Sequence, residues 1–410
     1  MFPEPQSALP LPRYPSLERY KKIAKELVKA CRSDRRGAIR GWAESWVNAI
    51  VANAELSVTP GLPVDVAQWI DDVDGFAQRT LSNGAAPGRH CSLTGAQFVI
   101  ARSHGFASWP KFARHLDAIA HGDSATSRFE AAAEAIVAGD LPTVERLVRE
   151  EPALIRARSR REHGATLLHY VSANGVEGYR QKTPPNVVAI SEMLLVAGAE
   201  VDATAHVYGS ECTTLELAAT SIHPERAGVL DALLSTLLDH GATIERHGER
   251  SMVATCLANN RFAAAQFLAA NGARLGLVEA AGLGRMDLVS STLRDMDGAA
   301  RAPKPKQLGE ALLYASMYGH TPIAELLVEN GADLRAHTRD GQTPLHCAVI
   351  GAHLDTVEAL LRLNASLEVE NAYGGTPLGQ ALWSAEHAGG DADRFTAIRD
   401  VLVRAEHAGR

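Results

Sequence analysis

The sequence predicts an all-α protein, a helical N-terminal domain leading into a solenoid of repeated helix pairs. Three observations carry that expectation. The strings TPLH at residues 343–346 and TPLG at residues 376–379 stand 33 residues apart (376 − 343), a period of repeat architectures rather than of single-core folds. Runs of small residues, a Gly-His turn and a Gly-Ala step recur upstream of them. Residues 16–121 show helical periodicity but no repeat.

At 410 residues the chain is too long for one ordinary core, which suits two domains or a solenoid. With 46% hydrophobic and 22% charged residues it reads as globular rather than disordered. A formal charge of −7 argues against a general affinity for nucleic acid or for anionic membrane. No run reaches the roughly 18 uncharged apolar residues of a membrane span. The opening MFPEPQSALPLPRYP lacks the basic start and apolar core of a signal peptide, so a cytoplasmic location is expected. Cys31, Cys91, Cys212, Cys256 and Cys347 are widely spaced with no CxxC pair, which predicts reduced thiols. Cys256 and Cys347 fall at apolar helix positions and are expected to be buried.

Residues 1–15 form a Pro-punctuated arm, extended or ordered only by docking. In the domain of residues 16–121, Ser16 can cap a helix whose stripe is Leu17, Tyr20, Ile23, Leu27 and Ala30. Ile39, Trp42, Trp46 and Ile50 make a second apolar face. Residues 82–89 (SNGAAPGR) read as a loop. Further on, Gly105 ends one helix and Pro110, at a tolerated first-turn position, starts another. That outline resembles a helix-turn-helix. Trp109, Phe112 and Leu116 at helical spacing nonetheless read as core, which argues against DNA as the partner.

The repeats occupy residues 127–407. Residues 310–334 (EALLYASMYGHTPIAELLVENGADL) show the unit in full: a small-residue inner helix, a Gly-His turn, an outer apolar helix and Gly-Ala-Asp. Matching landmarks stand at Thr166 to His169 with Gly198, at Thr213 with Gly241, at Gly272 and at residues 275–289. Residues 129–154 form a capping unit and residues 394–404 the last outer helix, giving about eight units. Three irregularities stand out. Residues 176–186 stretch the unit that starts at Thr166, residues 221–228 are inserted in the next, and no finger fits between Ala273 and the following helix.

These landmarks resemble ankyrin repeats, across about two-thirds of the chain. A narrower resemblance is to a group of bacterial ankyrin-repeat proteins with a helical N-terminal region. It rests on Pro15, Leu17, Glu18, Ala24, Lys25, Glu26 and Leu27, then on Ala96, Gln97, Ala101, Arg102, Gly105, Phe106, Ser108, Trp109 and Pro110. Residues 164–184 and 373–382 look like the same group, with Gln380 a departure where an aromatic residue is expected. The resemblance implies a cytoplasmic bacterial protein and brings no common activity.

Among the 16 histidines, His169 and His346 of the TLLH and TPLH motifs and the turn residues His320 and His353 are assigned to structure. No zinc spacing, HExxH or GxSxG is present, so neither metal nor cofactor is expected. The finger tips are free for recognition, because they do not hold the core. They offer Arg158, Arg160, His163, His206, Tyr208, His247, His337, Arg339 and Tyr373, which suit a protein, a peptide or a small acidic ligand in a concave groove. The insertion adds Tyr179, Arg180 and Lys182. The alternative is an enzyme whose pocket is formed by the stretched repeat, with His163 or His206 as base and Glu211 orienting it.

Overall fold

Apolar residues at helical spacing build the first five helices. The structure, a computed structural model, describes residues 2–12, 14–53, 66–82, 91–245, 251–294, 304–387 and 392–408. Helix α1 (Leu17–Arg32) buries Tyr20, Ala24, Leu27 and Cys31, and α2 (Ala38–Asn53) buries Ile39, Trp42, Trp46 and Ile50. Helix α3 (Val66–Ser82), absent from the sequence reading, inserts Val73, Ala77 and Leu81. Helices α4 (Leu93–Ser103) and α5 (Trp109–Ala120) meet at Gly105, whose φ of 81° closes the turn. Phe112 and Leu116 are buried and Trp109 packs against the same core.

The N-terminal arm is docked. Leu9 is fully buried, its N–H donates to Ser103 O (2.7 Å), and His104 Nδ1 donates to Leu9 O (2.9 Å). His104 stacks on Phe112 and meets Tyr20 edge-on. Burial, only partly offset by the bond to Leu9 O, leaves the imidazole neutral with a pKa of about 3. The expectation of reduced cysteines is corrected at one pair: Cys31 and Cys91 form a disulfide across 60 residues. Packing of α1 on α4 brings them together, a contact that spacing alone does not reveal. Cys212, Cys256 and Cys347 are free, and burial raises the thiols of Cys256 and Cys347 to about 12.

The chain divides into two compact units, Met1–Ile244 and Glu245–Arg410. After α5 the first unit continues with helices α6 (Ala125–Ala138) and α7 (Leu141–Glu150). A 3-10 helix (Leu167–Ser172) then pairs with α8 (Val187–Val196). Strands β1 (Thr204–Val207) and β2 (Ser210–Thr213) follow, with α9 (Thr214–Thr220), α10 (His223–Arg226) and α11 (Leu230–Asp239). The antiparallel strands pair Thr204 with Thr213 and Val207 with Ser210. Their turn, Tyr208 (φ 53°) and Gly209 (φ 77°), has both residues left-handed, which matches the twist of a two-residue hairpin. Residues 221–228, an insertion in the sequence, hold α10.

The second unit is a run of helix pairs. They are α12 (Met252–Ala258) with α13 (Phe262–Ala270), α14 (Leu277–Gly282) with α15 (Met286–Arg294), and α16 (Pro305–Met317) with α17 (Thr321–Glu329). Then come α18 (Pro344–Ile350) with α19 (Leu354–Arg362) and α20 (Pro377–His387) with α21 (Ala392–Ala408). Only three residues (274–276) separate the Gly272-Ala273 step from α14, so no finger forms there. Among the described residues of this unit the other finger turns are closed by isolated backbone bonds, such as Thr338 N to Gln342 O (3.0 Å) and Asn371 N to Gly375 O (3.0 Å), not by strands.

Histidines stitch these pairs together. Thr343 Oγ1 caps α18 and pairs with His346 Nδ1 (2.8 Å), while His346 Nε2 donates to Gly375 O (3.0 Å) in the next finger. The turn histidines do the same: His320 Nε2 donates to Gly282 O and His353 Nε2 to Met317 O, each at 3.0 Å. Gly319 (φ 73°) is required beside His353, since a Cβ there would lie 2.5 Å from the ring.

Candidate functional site

The chemistry concentrates in the first unit, where the repeat beginning at Thr166 departs most from a regular one. The finger of residues 156–163 (RARSRREH) alternates. Arg158, Arg160 and Glu162 are exposed, whereas Ser159, Arg161 and His163 are buried. Backbone bonds hold it on both sides, from Glu162 N to Gly105 O (2.9 Å) and from His206 N to His163 O (2.8 Å). Arg158 pins the finger to the hairpin by donating to Gly164 O (2.9 Å) and Thr204 O (2.6 Å).

Beneath the finger lies a buried ion network. Arg161 donates to Glu130 (2.7 Å) and faces Glu177 Oε1 at 2.9 Å, a contact without the alignment of a hydrogen bond. Arg180 donates to Glu130 (2.9 Å), to Glu134 (3.3 Å) and, at 3.5 Å, to Glu177. Burial alone would raise the carboxyls of Glu130 and Glu177. Arg161 and Arg180 override it, holding Glu130 at about 2 and Glu177 well below the usual range. Two guanidinium groups thus balance two carboxylates in a water-poor interior, the arrangement in which a buried pair can persist. Glu177 is fully buried, and its Oε1 lies 3.5 Å from His163 Nε2. Tyr179, raised to about 12 by burial, sits with Arg180 over its ring and meets Arg161 through its hydroxyl (3.5 Å).

The insertion of residues 176–186 therefore folds inward, carrying Glu177 and Arg180 into the network. Gly178 is pressed against Gln6 O of the arm, which a Cβ would approach to 2.8 Å. At the other end of the insertion Asn186 Nδ2 donates to Gly139 O (2.8 Å).

Above the network opens a cleft of about 570 Å³. Its lining includes Glu4 of the arm, Arg102 and Lys111 from α4 and α5, Arg160 and Glu162 from the finger, and His206 and Tyr208 from the hairpin, with Arg161 in its floor. Four cations (Arg102, Lys111, Arg160, Arg161) face two carboxylates (Glu4, Glu162), a local excess of +2 (4 − 2) on a chain of −7. Arg102 pairs with Glu162 and donates to Pro3 O (3.3 Å), and Arg161 is engaged below. Lys111 and Arg160 are exposed and have no carboxylate partner among the described residues. Tyr208 is 53% exposed, with its hydroxyl donating to Asn174 Oδ1 (2.5 Å).

The structure brings Arg160, His206 and Tyr208 to one cleft, with His163 buried beneath them. His206 Nδ1 lies 3.0 Å from Glu211, and both side chains are more than half exposed. The Thr204 hydroxyl, then His206, holds the Glu211 carboxyl below its ordinary range. Lys182 is half-buried and does not line the cleft. His337, Arg339 and Tyr373 are exposed on fingers of the second unit, and His247 lies outside the described residues. Lys111, Arg161, Glu130 and Glu177 were missed. The alternation in RARSRREH was a legible signal for Arg161, although an all-polar segment does not tell which phase points inward.

Among the described residues no group of three or more His, Cys, Asp or Glu is placed to hold a metal ion, and no helix is long and apolar enough to cross a membrane. Residues 277–371 and 312–388 match the family described as ankyrin repeats (3 copies). The C-terminal part of the chain, from α14 through α20, thus carries ankyrin repeats, a module of protein–protein interaction. The human ASB11 ankyrin repeat domain is similar at 19% identity over 67% of this chain and 96% of that chain, with a TM-score of 0.36, a global superposition too loose to bear on function.

Proposed function

We propose that this protein is a non-catalytic recognition protein, and that the cleft beside the stretched repeat takes an acidic peptide segment or a small carboxylate. The observation that carries the reading is the pair of uncompensated cations, Lys111 and Arg160, over a floor whose other charges are already matched. A guanidinium offers a planar fork for a carboxylate, and Tyr208 adds flat area with a polar tip. The rigid floor supports preorganisation, since little ordering is left for binding. The helical domain ahead of the repeats, the bacterial resemblance and a cytoplasmic location belong to the same reading.

A thermal-shift screen of the full chain against Asp/Glu-rich peptides and small dicarboxylates tests it, because a ligand of the native state raises apparent stability. Stabilisation that is lost in Arg160→Ala supports the proposal. No stabilisation by any acidic ligand at low salt, where such contacts are strongest, defeats it.

The 3.0 Å contact of His206 with Glu211 favours a second reading, an acid–base enzyme that works from the hairpin. Proton transfer gains most in a site that excludes water, and this pair is more than half exposed. Turnover of a bound ligand that disappears in His206→Ala while affinity is kept would establish this second reading.

A further inference from the structure

The net charge of −7 conceals a region of opposite sign. Residues 18–40 carry nine Lys and Arg against three carboxylates, a formal +6 (9 − 3), so the rest of the chain carries −13 (−7 − 6). Folding places these cations on one side of α1. Its apolar stripe (Tyr20, Ala24, Leu27, Cys31) faces the core, while Lys22, Lys25, Lys29 and Arg32, at intervals of three and four residues, are exposed. Such intervals put side chains on one helix face about 5–6 Å apart. The row runs on into the α1–α2 turn, where Arg35 and Arg36 are also exposed.

Some of these charges are internally satisfied. Lys21 pairs with Glu18 (2.6 Å), Arg40 with Asp71 (2.7 Å), and Arg32 donates to Cys91 O (3.2 Å). Lys25, Lys29, Arg35 and Arg36 have no ion pair among the described residues. Lys29, Arg35 and Arg36 line a groove of about 590 Å³ between the end of α1 and the start of α2, together with Arg40 and the carboxylates Glu26 and Glu44. Glu26 lies 4.0 Å from Lys22 and Glu44 3.3 Å from Arg40, so both acids are matched from outside the unpaired set.

From this arrangement we infer that the α1–α2 face docks on the phosphate backbone of double-stranded nucleic acid, without base readout. The kind of partner follows from what the face lacks. The exposed large apolar side chains of the described residues all lie outside α1, α2 and their turn. Protein interfaces usually rest on a buried aromatic or apolar anchor. Single strands are held on exposed aromatic platforms, and here Trp42 and Trp46 are buried. Attachment to a membrane draws on an apolar or lipid anchor besides charge. A face of spaced, unpaired cations with no apolar anchor matches sequence-independent phosphate contact, whose affinity comes from counterion release.

Fluorescence anisotropy of a labelled mixed-sequence 20-base-pair duplex, titrated with the full chain, tests this directly. Four unpaired cations predict a log–log salt slope of about −3.6, or binding roughly 100-fold weaker at about 200 mM than at about 50 mM salt. The quadruple variant Lys25→Glu, Lys29→Glu, Arg35→Glu, Arg36→Glu alters exposed residues only. With an unchanged circular dichroism spectrum it should lose binding at least tenfold, and Arg35→Ala alone should flatten the slope by about one charge. Absence of duplex binding at low salt overturns the inference. So does binding that survives in the folded quadruple variant, or binding to phosphatidylserine-containing vesicles with none to duplex.

Discussion

The repeat at residues 343–362 and the repeat at residues 166–196 begin alike, with a Thr whose hydroxyl pairs with a His three residues on at 2.8 Å. From there they diverge. In the regular repeat three residues (351–353) join α18 to α19, and the buried polar residues, Thr343, His346 and Thr356, are all uncharged or neutral groups held by hydrogen bonds. In the stretched repeat fourteen residues (173–186) intervene and bring Glu177 and Arg180 into the interior against Glu130 and Arg161. The regular repeat is stabilised by burial and by hydrogen bonds shared between neighbours. The stretched repeat depends on charges that are tolerable only while all are present. That dependence is the kind of local conflict found where a chain departs from its fold pattern for function.

Glu177→Gln would break the comparison most sharply. Leaving two buried guanidinium groups short of a carboxylate should cost the first unit about 3–5 kcal/mol. His346→Ala, which removes the Gly375 bond and the Thr343 contact, should cost the second unit about 1–2 kcal/mol. Urea unfolding followed by hydrogen exchange of each unit would separate the two effects. Similar losses from both variants would mean that the network is no more critical than an ordinary repeat contact.

Acid should also act unequally. Burial depresses His104 to about 3 and His115, where Arg161 assists, to about 4, below the ordinary 6.5. The folded state refuses protons that the unfolded chain accepts, so stability is intact above pH 6.5 and falls as pH drops toward 4. The slope is about 1.4 kcal/mol per unit for each histidine. Glu130 adds a loss from its ordinary 4.5 down to about 2. In the second unit His320, His346 and His353 are depressed by burial, partly offset by their backbone bonds, and the depressed carboxylate of Asp287 is an exposed one held down by Arg285. Circular dichroism of acid titrations with a Trp readout, weighted to the N-terminal helices by Trp42, Trp46, Trp69 and Trp109, should show the first unit unfolding at the higher pH.

Smaller effects sharpen the contrast. Gly319→Ala meets both a left-handed φ and the His353 ring, and should cost about 1–3 kcal/mol in the second unit. Arg160→Ala removes an exposed, unpaired side chain and should change stability by less than about 0.5 kcal/mol while lowering affinity. A thermal melt on each variant checks both.

What the sequence revealed follows the range of the signal. Ile39, Trp42, Trp46 and Ile50 announced their helix face because the periodicity is local, and His320 and His353 announced their turns through a glycine one or two residues ahead. Helix α3 carried the same signal in Trp69, Val73, Phe76 and Leu81, diluted by Asp71, Asp72, Asp74 and Gly75. The network was not legible. Glu130 lies 31 and 50 residues from its partners Arg161 and Arg180, and charged residues carry no burial signal until their counter-charges are known. For the same reason Tyr179 and Arg180 were expected at a groove surface and instead pack beneath it.

The most direct test is calorimetric titration of one acidic peptide into the wild type, into a Lys111→Ala, Arg160→Ala variant, and into a His337→Ala, Arg339→Ala, Tyr373→Ala variant of the regular fingers. The account predicts at least tenfold weaker binding in the first variant and unchanged binding in the second. Loss of binding only in the second variant would contradict it, placing recognition on the regular repeats.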